Sequence, residues 1–248
     1  MSGFAQQVSS ETEKEVSFRW PPSIVPAGAE SPALFSGISP SDYPAIWAAA
    51  RIKGFTRGEI LYLKGDSVQQ VLLLMSGSVK ITQFGSGGSE VILKLAVPGE
   101  VLGASVIFSS GLHYTTAQAF RPCRALIWHA LTFKKLAEGF PILHQNMARI
   151  LSEDLLELED RFREVATERV GCRVARQLVR LHKKIGRPVE GGTEINLSRE
   201  ELAQMTGTTL FTVSRLLSAW EACGILKPSR EAVTIDDVHA LNAVAEAQ

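Results

Sequence analysis

The chain has 248 residues, of which 45% are hydrophobic and 21% charged, which suits two modest domains that each bury a core. Its 26 basic and 26 acidic residues cancel, so any affinity for nucleic acid must come from a local patch, which a dimer would double. Three scattered cysteines exclude a disulfide framework or a C-x-x-C metal pair, and apolar runs such as Val71 to Met75 are too short to span a bilayer. The polar, acidic first thirty residues lack the pattern of a signal peptide, so a cytoplasmic protein without a membrane partner is expected.

Residues 1–33 mix Ser, Glu, Gln and Pro with few large apolar groups, the composition of a disordered tail. Order should begin near Leu34 and Phe35, and Ser39-Pro40 can open a short helix carrying Tyr43, Ile46 and Trp47. Residues 34–140 are read as one unit. From 51 to about 128, short apolar stretches are punctuated by turn glycines, among them Gly58, Gly65, Gly77, Gly99 and Gly103. Val91, Leu93, Leu95 and Val97 alternate, as do Val79 and Ile81, so each set should share one strand face. Many short strands with regular breaks predict a small antiparallel roll, either holding a small ligand or filled by its own side chains.

Residues 141–167 read as one long helix. Ala148, Leu151, Leu155, Leu158, Phe162 and Val165 recur at alternating intervals of three and four, and charged residues cover the other faces. So narrow a seam on so long a helix suits a partner helix and predicts a homodimer; the alternative is packing on its own roll.

Residues 168–248 form the third segment. Val170, Val174, Leu178 and Leu181 make an amphipathic helix before a break at 186–192. Residues 197–226 then read as two short helices joined at Gly207. Ser198 and Glu201 can form a capping box, Leu202 and Met205 supply an apolar stripe, Thr208 can cap the second helix and Gly224 can close it. At 100° per residue, Val213, Leu216, Leu217 and Trp220 fall on one side of that helix, and Thr208, Phe211, Thr212, Arg215 and Ala219 on the other. This is the pattern of a helix-turn-helix, which buries one face of its second helix and offers the other to the major groove of double-stranded DNA. An ordinary surface hairpin is the alternative, but an outward Phe asks for a partner. Two short stretches flanking Ser229-Arg230-Glu231 read as a β-hairpin, the wing of a winged helix-turn-helix.

Roll, long helix and winged helix pair, in that order, resemble the Crp/Fnr family of bacterial transcription regulators over residues 35 to 240. The resemblance is carried by Arg57-Gly58-Glu59, Lys64-Gly65-Asp66, Ser76-Gly77-Ser78-Val79-Lys80 and Pro98-Gly99-Glu100-Val101-Leu102-Gly103. In the helix pair it is carried by Leu197-Ser198-Arg199-Glu200-Glu201-Leu202-Ala203 and Thr212-Val213-Ser214-Arg215. It implies an α+β fold: an N-terminal cyclic-nucleotide-binding-like β-roll (a double-stranded β-helix or jelly roll), a dimerisation helix and a C-terminal winged helix-turn-helix. It also implies RNA polymerase as a partner, and no enzyme activity. Arg215 falls where the family places an arginine that reads guanine, and Ser214 matches the serine of the Fnr-like branch. Thr209 and Thr212, with Ser198 and Arg199, fall where phosphates are held. Leu210 and Phe211 depart from the family: Phe211 stands where a glutamate is common, which predicts a different half-site with a thymine near the ring.

The sensing end departs as well. Cyclic-AMP binders of the family follow the glycine-rich turn with Glu and place Arg-Ser shortly after, whereas this chain has Gly103-Ala104-Ser105-Val106 and Tyr114-Thr115-Thr116-Ala117. Without that arginine a buried phosphate lacks its counterion, so neither cyclic AMP nor a pure cyclic-nucleotide-binding module is expected. No cysteine precedes Cys123, which excludes the iron–sulfur cluster of some members. Thr206-Gly207-Thr208-Thr209-Leu210 with Thr212-Val213-Ser214-Arg215, and Ser218-Ala219-Trp220-Glu221 after it, look most like the nitric-oxide-responsive, NnrR-like branch that governs denitrification genes, whose relatives are thought to sense through haem. That places effector-binding positions at Gly103, His113, Tyr114 and Thr116, with His113 the candidate haem ligand ahead of His129 and His144, and a solvated loop histidine as its alternative. Cys123 is read as a buried structural cysteine, with a redox thiol as the alternative. A cupin-like metalloenzyme would need a His and carboxylate cluster, but the roll has only His113 and His129 and no H-x-H pair.

Overall fold

The structure, a computed structural model, describes residues 32–39, 41–104, 106–107 and 111–247. The expected disordered tail over 1–33 lies outside the described residues except for its last two. Ala33–Phe35 make a turn of 3-10 helix whose Leu34 and Phe35 are fully buried, and α1 (Tyr43–Ala48) buries Ile46 and Trp47.

The strands are β1 (Arg51–Phe55), β2 (Ile60–Tyr62), β3 (Gln70–Phe84), β4 (Glu90–Ala96), β5 (Val101–Leu102) and β6 (Thr116–His129). They form one antiparallel sheet of order β1-β6-β3-β4, with β2 added to β6 and β5 to β3. The long strands β3 and β6 pair from Gln70 with His129 to Thr82 with Thr116, and three register shifts between Leu74 and Val79 bend them into a roll. Gly77 sits in that bend with φ 77°; a Cβ there would stand 2.1 Å from the Pro122 carbonyl oxygen, so only glycine fits. Leu72, Leu74, Val79, Ala117, Ala125 and Ile127 fill the inside of the roll. On its other face Trp128 lies among Phe35, Trp47 and Phe133, with ring centroids 5.8 to 6.0 Å away, beneath α2 (Ala130–Gly139).

The expected alternation on β4 is corrected. Pairing passes from Ile81 with Lys94 to Thr82 with Ile92, so Leu93 is an extra residue and the face switches there. Val91 is therefore exposed, while Ile92 and Leu95 are buried, together with Phe120, in the apolar cluster that contains Val174, Leu202, Val213 and Trp220. The roll and the C-terminal segment thus share one core.

The 26 residues of α3 (Ile142–Thr167) span about 39 Å at 1.5 Å per residue. Its first turns bury Leu143 and Met147, and Asn146 donates to the carbonyls of Leu34 and Ser36 at 2.9 and 2.7 Å. Further along, Asp154 pairs with Lys94 of β4 at 2.5 Å.

Beyond it come α4 (Val170–Ile185), β7 (Arg187–Val189), β8 (Gly192–Ile195), α5 (Arg199–Thr206), α6 (Leu210–Ala222), β9 (Leu226–Pro228), β10 (Val233–Ile235) and α7 (Val238–Glu246). The expected wing is β9 and β10, paired antiparallel. The break expected at 186–192 carries β7, which opens a four-stranded sheet of order β7-β8-β10-β9. Its three residues are all exposed and include Pro188, so no period-two pattern marks it. Helix α7, capped by Asp237, buries Leu241 and Ala245 and was likewise too short to stand out.

Candidate nucleic-acid interface

The capping box forms as expected: Ser198 Oγ accepts from the Glu201 N–H at 3.2 Å, and the Ser198 N–H donates to Glu201 Oε2 at 2.6 Å. Helix α5 ends at Gly207, whose left-handed backbone (φ 62°, ψ 43°) suits glycine. The cap of α6 differs from expectation. The Thr208 N–H still belongs to the end of α5, donating to the Ala203 carbonyl at 3.2 Å, and the chain becomes extended only at Thr209. Thr209 is the cap: its Oγ1 accepts from the Thr212 N–H at 3.2 Å, and the two hydroxyls lie 3.0 Å apart. At the far end the Ile225 N–H donates to the Trp220 carbonyl at 3.0 Å around left-handed Gly224, closing the helix as expected.

Helix α6 buries Val213, Leu217 and Trp220 against Leu202, Ala203 and Met205, with Leu216 half-buried beside them. Its outer face presents Leu210 at 51% and Phe211 at 78% exposure, together with Arg215, Ser218 and Ala219. The Arg215 side chain makes no hydrogen bond or ion pair among the described residues, which leaves its guanidinium fork open to a partner. Thr212 and Ser214 are half-buried on the flanks of this face. Ser198 and Arg199 are half-buried at the start of α5, and Thr208 is half-buried in the turn.

Two family models match this chain: the Crp-like helix-turn-helix domain over residues 172–244 and the cyclic nucleotide-binding domain over 52–139. Roll and helix pair stand in the order of those matches. The chain belongs to the Crp/Fnr family of transcription regulators. It is a DNA-binding regulator and not an enzyme. A CRP-like cAMP-activated global transcriptional regulator of Mycobacterium tuberculosis is 25% identical to it over 210 residues, 84% of this chain and 94% of that protein. A fumarate and nitrate reduction regulatory protein of Salmonella typhimurium is 26% identical over 197 residues, 79% of this chain and 78% of that protein. The solved structure of CLP, a c-di-GMP responsive global regulator of Xanthomonas campestris, shares the fold with a TM-score of 0.71 at 21% identity, covering 79% of this chain and 99% of that one.

In this Crp/Fnr regulator the stripe on α3 faces outward. Leu151, Leu155, Leu158, Phe162 and Val165 are 45, 55, 54, 73 and 56% exposed, and Ala148 is exposed with them. The stripe does not pack on its own roll. Leu156, outside the expected spacing, adds a further apolar group at 62% exposure.

The other faces of α3 hold residues that sequence patterning grouped with the solvated charges. Arg161 donates to the carbonyls of Leu93 on β4 and, at 2.9 Å, of Met205 at the end of α5. One side chain thus joins roll, long helix and helix pair, and burial holds its pKa below the usual arginine range. Glu164 is 4% exposed and accepts from Arg180 through both oxygens. Two further contacts join roll and C-terminal segment: Arg57 Nη1 lies 2.9 Å from Glu231 Oε2 at the wing tip, and Arg121 donates to the Asn196 carbonyl at 2.6 Å. No local signal marks these four residues, because each partner is remote in sequence.

At the sensing end, Gly103, His113 and Thr116 share a corner of the roll. A Cβ on Gly103 would stand 3.5 Å from His113 Cε1, and the Gly65 and Lys64 N–H groups donate to the His113 carbonyl and to Thr116 Oγ1. Tyr114 is 57% exposed. His113 is only 6% exposed and its ring stacks on Tyr62, with centroids 3.7 Å apart and planes 7° from parallel. It is a packed ring and not a solvated loop residue. His129 is also engaged, its Nδ1 accepting from the Leu131 N–H at 3.3 Å to cap α2. Cys123 is 3% exposed and burial pushes its thiol up to about 11, the signature of a structural cysteine and not of a reactive thiolate.

Proposed function

We propose that this regulator acts as a homodimer that sets two copies of α6 into successive major grooves of a pseudo-palindromic operator, about 34 Å apart. The observation that carries the reading is exposed Arg215, whose side chain has no partner among the described residues, beside exposed Phe211 and Leu210 on a helix that buries Val213, Leu217 and Trp220 on its other face. The guanidinium fork matches the O6 and N7 acceptors of guanine, and the phenyl ring and Leu210 supply apolar contact for a thymine methyl. Thr209, Thr212, Ser198 and Arg199, with the N-terminal N–H groups of α5 and α6, position the protein on phosphates. Ser214 flanks the reading face.

The exposed stripe on α3 supports dimerisation through Ala148, Leu151, Leu155, Leu158, Phe162 and Val165. Arg161 supports the gating: an effector that favours one position of β4 against α3 also moves the end of α5 and shifts the population of DNA-ready dimers. The stretches 206–210, 212–215 and 218–221 support assignment to the nitric-oxide-responsive branch, with RNA polymerase as the downstream partner in the cytoplasm. Haem held by His113 is not part of this reading. Among the described residues no helix is long and apolar enough to cross a membrane.

The test is footprinting on an operator recovered by random-site selection. Arg215→Ala should abolish specific protection while light scattering still reports a dimer; retained protection of the same site overturns the assignment. A spectrum of the purified chain mixed with haem, with and without nitric oxide, decides the cofactor, since a Soret shift that His113→Ala abolishes would place ligation there.

A further inference from the structure

Between the roll and the C-terminal segment lies a cleft of about 200 Å³ whose polar lining comes from both sides. Ser78 and Arg121 come from β3 and β6; Lys184, Arg187 and Asn196 come from the end of α4, from β7 and from the segment before α5. No carboxylate lines it among the described residues. The nearby acids are otherwise engaged: Glu100 is 2.8 Å from Lys184 and 3.0 Å from Lys94, Glu231 pairs with Arg57, and Glu194 accepts from the Asn196 amide. The Arg187 side chain is exposed and makes no hydrogen bond or ion pair among the described residues. Ser78 is 4% exposed, and its hydroxyl likewise has no hydrogen-bond partner among the described residues. Desolvation first, and then the charge of Arg57, lower the pKa of Arg121; Glu201 and Glu231 oppose that shift, and Arg187 adds a smaller lowering effect.

We propose that this cleft is a binding site for a small phosphate-bearing anion that bridges the two halves of the chain. The Arg187 fork, the Arg121 nitrogens not given to the Asn196 carbonyl, and the Lys184 ammonium, which an anion would share with Glu100, supply the charge-assisted donors that phosphate oxygens accept, and the Ser78 hydroxyl gains a partner. The size decides the class. Cavities for drug-sized ligands run from about 300 Å³ upward, so this one suits phosphate, pyrophosphate or a short phosphorylated metabolite and not a nucleotide. The site is separate from the corner around Gly103 and His113 and from the outer face of α6. Because Arg121 and Arg187 stand on opposite sides of the cleft, an occupant fixes the C-terminal segment against the roll.

Calorimetric titration of the full chain with inorganic pyrophosphate and, separately, with glycerol 3-phosphate tests the proposal. At least one probe should bind at one site per chain, with affinity lowered about tenfold by Arg187→Ala and about threefold by Ser78→Ala. Lys183→Ala, an exposed cation one residue from Lys184, should change nothing. If pyrophosphate binds more tightly the occupant is an inorganic anion; if glycerol 3-phosphate does, it is a metabolite. Absence of saturable binding by either probe up to about 10 mM, or binding that Arg187→Ala and Ser78→Ala leave unchanged, overturns it. Operator footprinting without either probe reads the DNA-binding proposal separately.

Discussion

Removing the Phe211 ring tests the interface most directly, because the ring contributes to DNA contact and almost nothing to the fold. At 78% exposure a side chain of about 200 Å² leaves roughly 150 Å² in water, so Phe211→Ala should alter stability by less than about 0.5 kcal/mol. Covering half of that area against a thymine methyl and its sugar, at about 25 cal/mol per Å², is worth roughly 2 kcal/mol per half-site, or about thirtyfold in affinity. Fluorescence anisotropy at fixed salt on a selected operator measures the loss. Replacing the facing thymine by uracil removes only the methyl group. That change should weaken the wild type and leave Phe211→Ala unaffected, and Phe211→Glu should select a different half-site. Affinity for the operator within twofold of wild type, or an equal uracil effect in both proteins, would refute the reasoning.

Thr209→Ala should lower the stability of the C-terminal segment by about 1 kcal/mol through loss of the α6 cap, whereas Thr208→Ala should cost less than about 0.5 kcal/mol; urea midpoints in the opposite order would return the cap to Thr208. Phe162→Glu, at a position 73% exposed in the single chain, should leave circular dichroism unchanged and convert the dimer to monomer by light scattering, and a persistent dimer would place the interface elsewhere. Burial, opposed by Asp66, holds the His113 pKa below its usual value. The unfolded chain therefore binds more protons as pH falls below about 6.5, so His113 stabilises fully above that pH and its contribution is lost as pH falls through the folded value. The stability difference between wild type and His113→Gln should shrink over that window, and a difference independent of pH would show that the ring is solvated.

Much of the architecture was legible because it is written in local periods. The α3 seam is an interval of three and four, the helix pair is a capping box, a left-handed glycine and a second stripe, and each signal involves residues within about four positions of one another. The same reading misplaced what depends on a one-residue shift. The bulge at Leu93 moves Ile92 onto the buried face in place of Val91, and the turn after Gly207 takes up Thr208 and passes the cap to Thr209. It also missed β7 and α7, which are too short or too edge-like to show a period.

Sequence alone determined the roll, the long helix and the winged helix pair, and it brought Arg215, Phe211 and Leu210 to one face of one helix, since side-chain direction along a helix follows from position. Only the tertiary structure decided how these parts are joined. Arg57 meets Glu231 across 174 positions, Arg121 meets Asn196 across 75, and Arg161 ties β4 to the end of α5. Such pairings leave no period in the chain, because the partner is chosen by the packing of whole elements. For the same reason His113, a loop histidine by its neighbours in sequence, is a buried ring stacked on Tyr62.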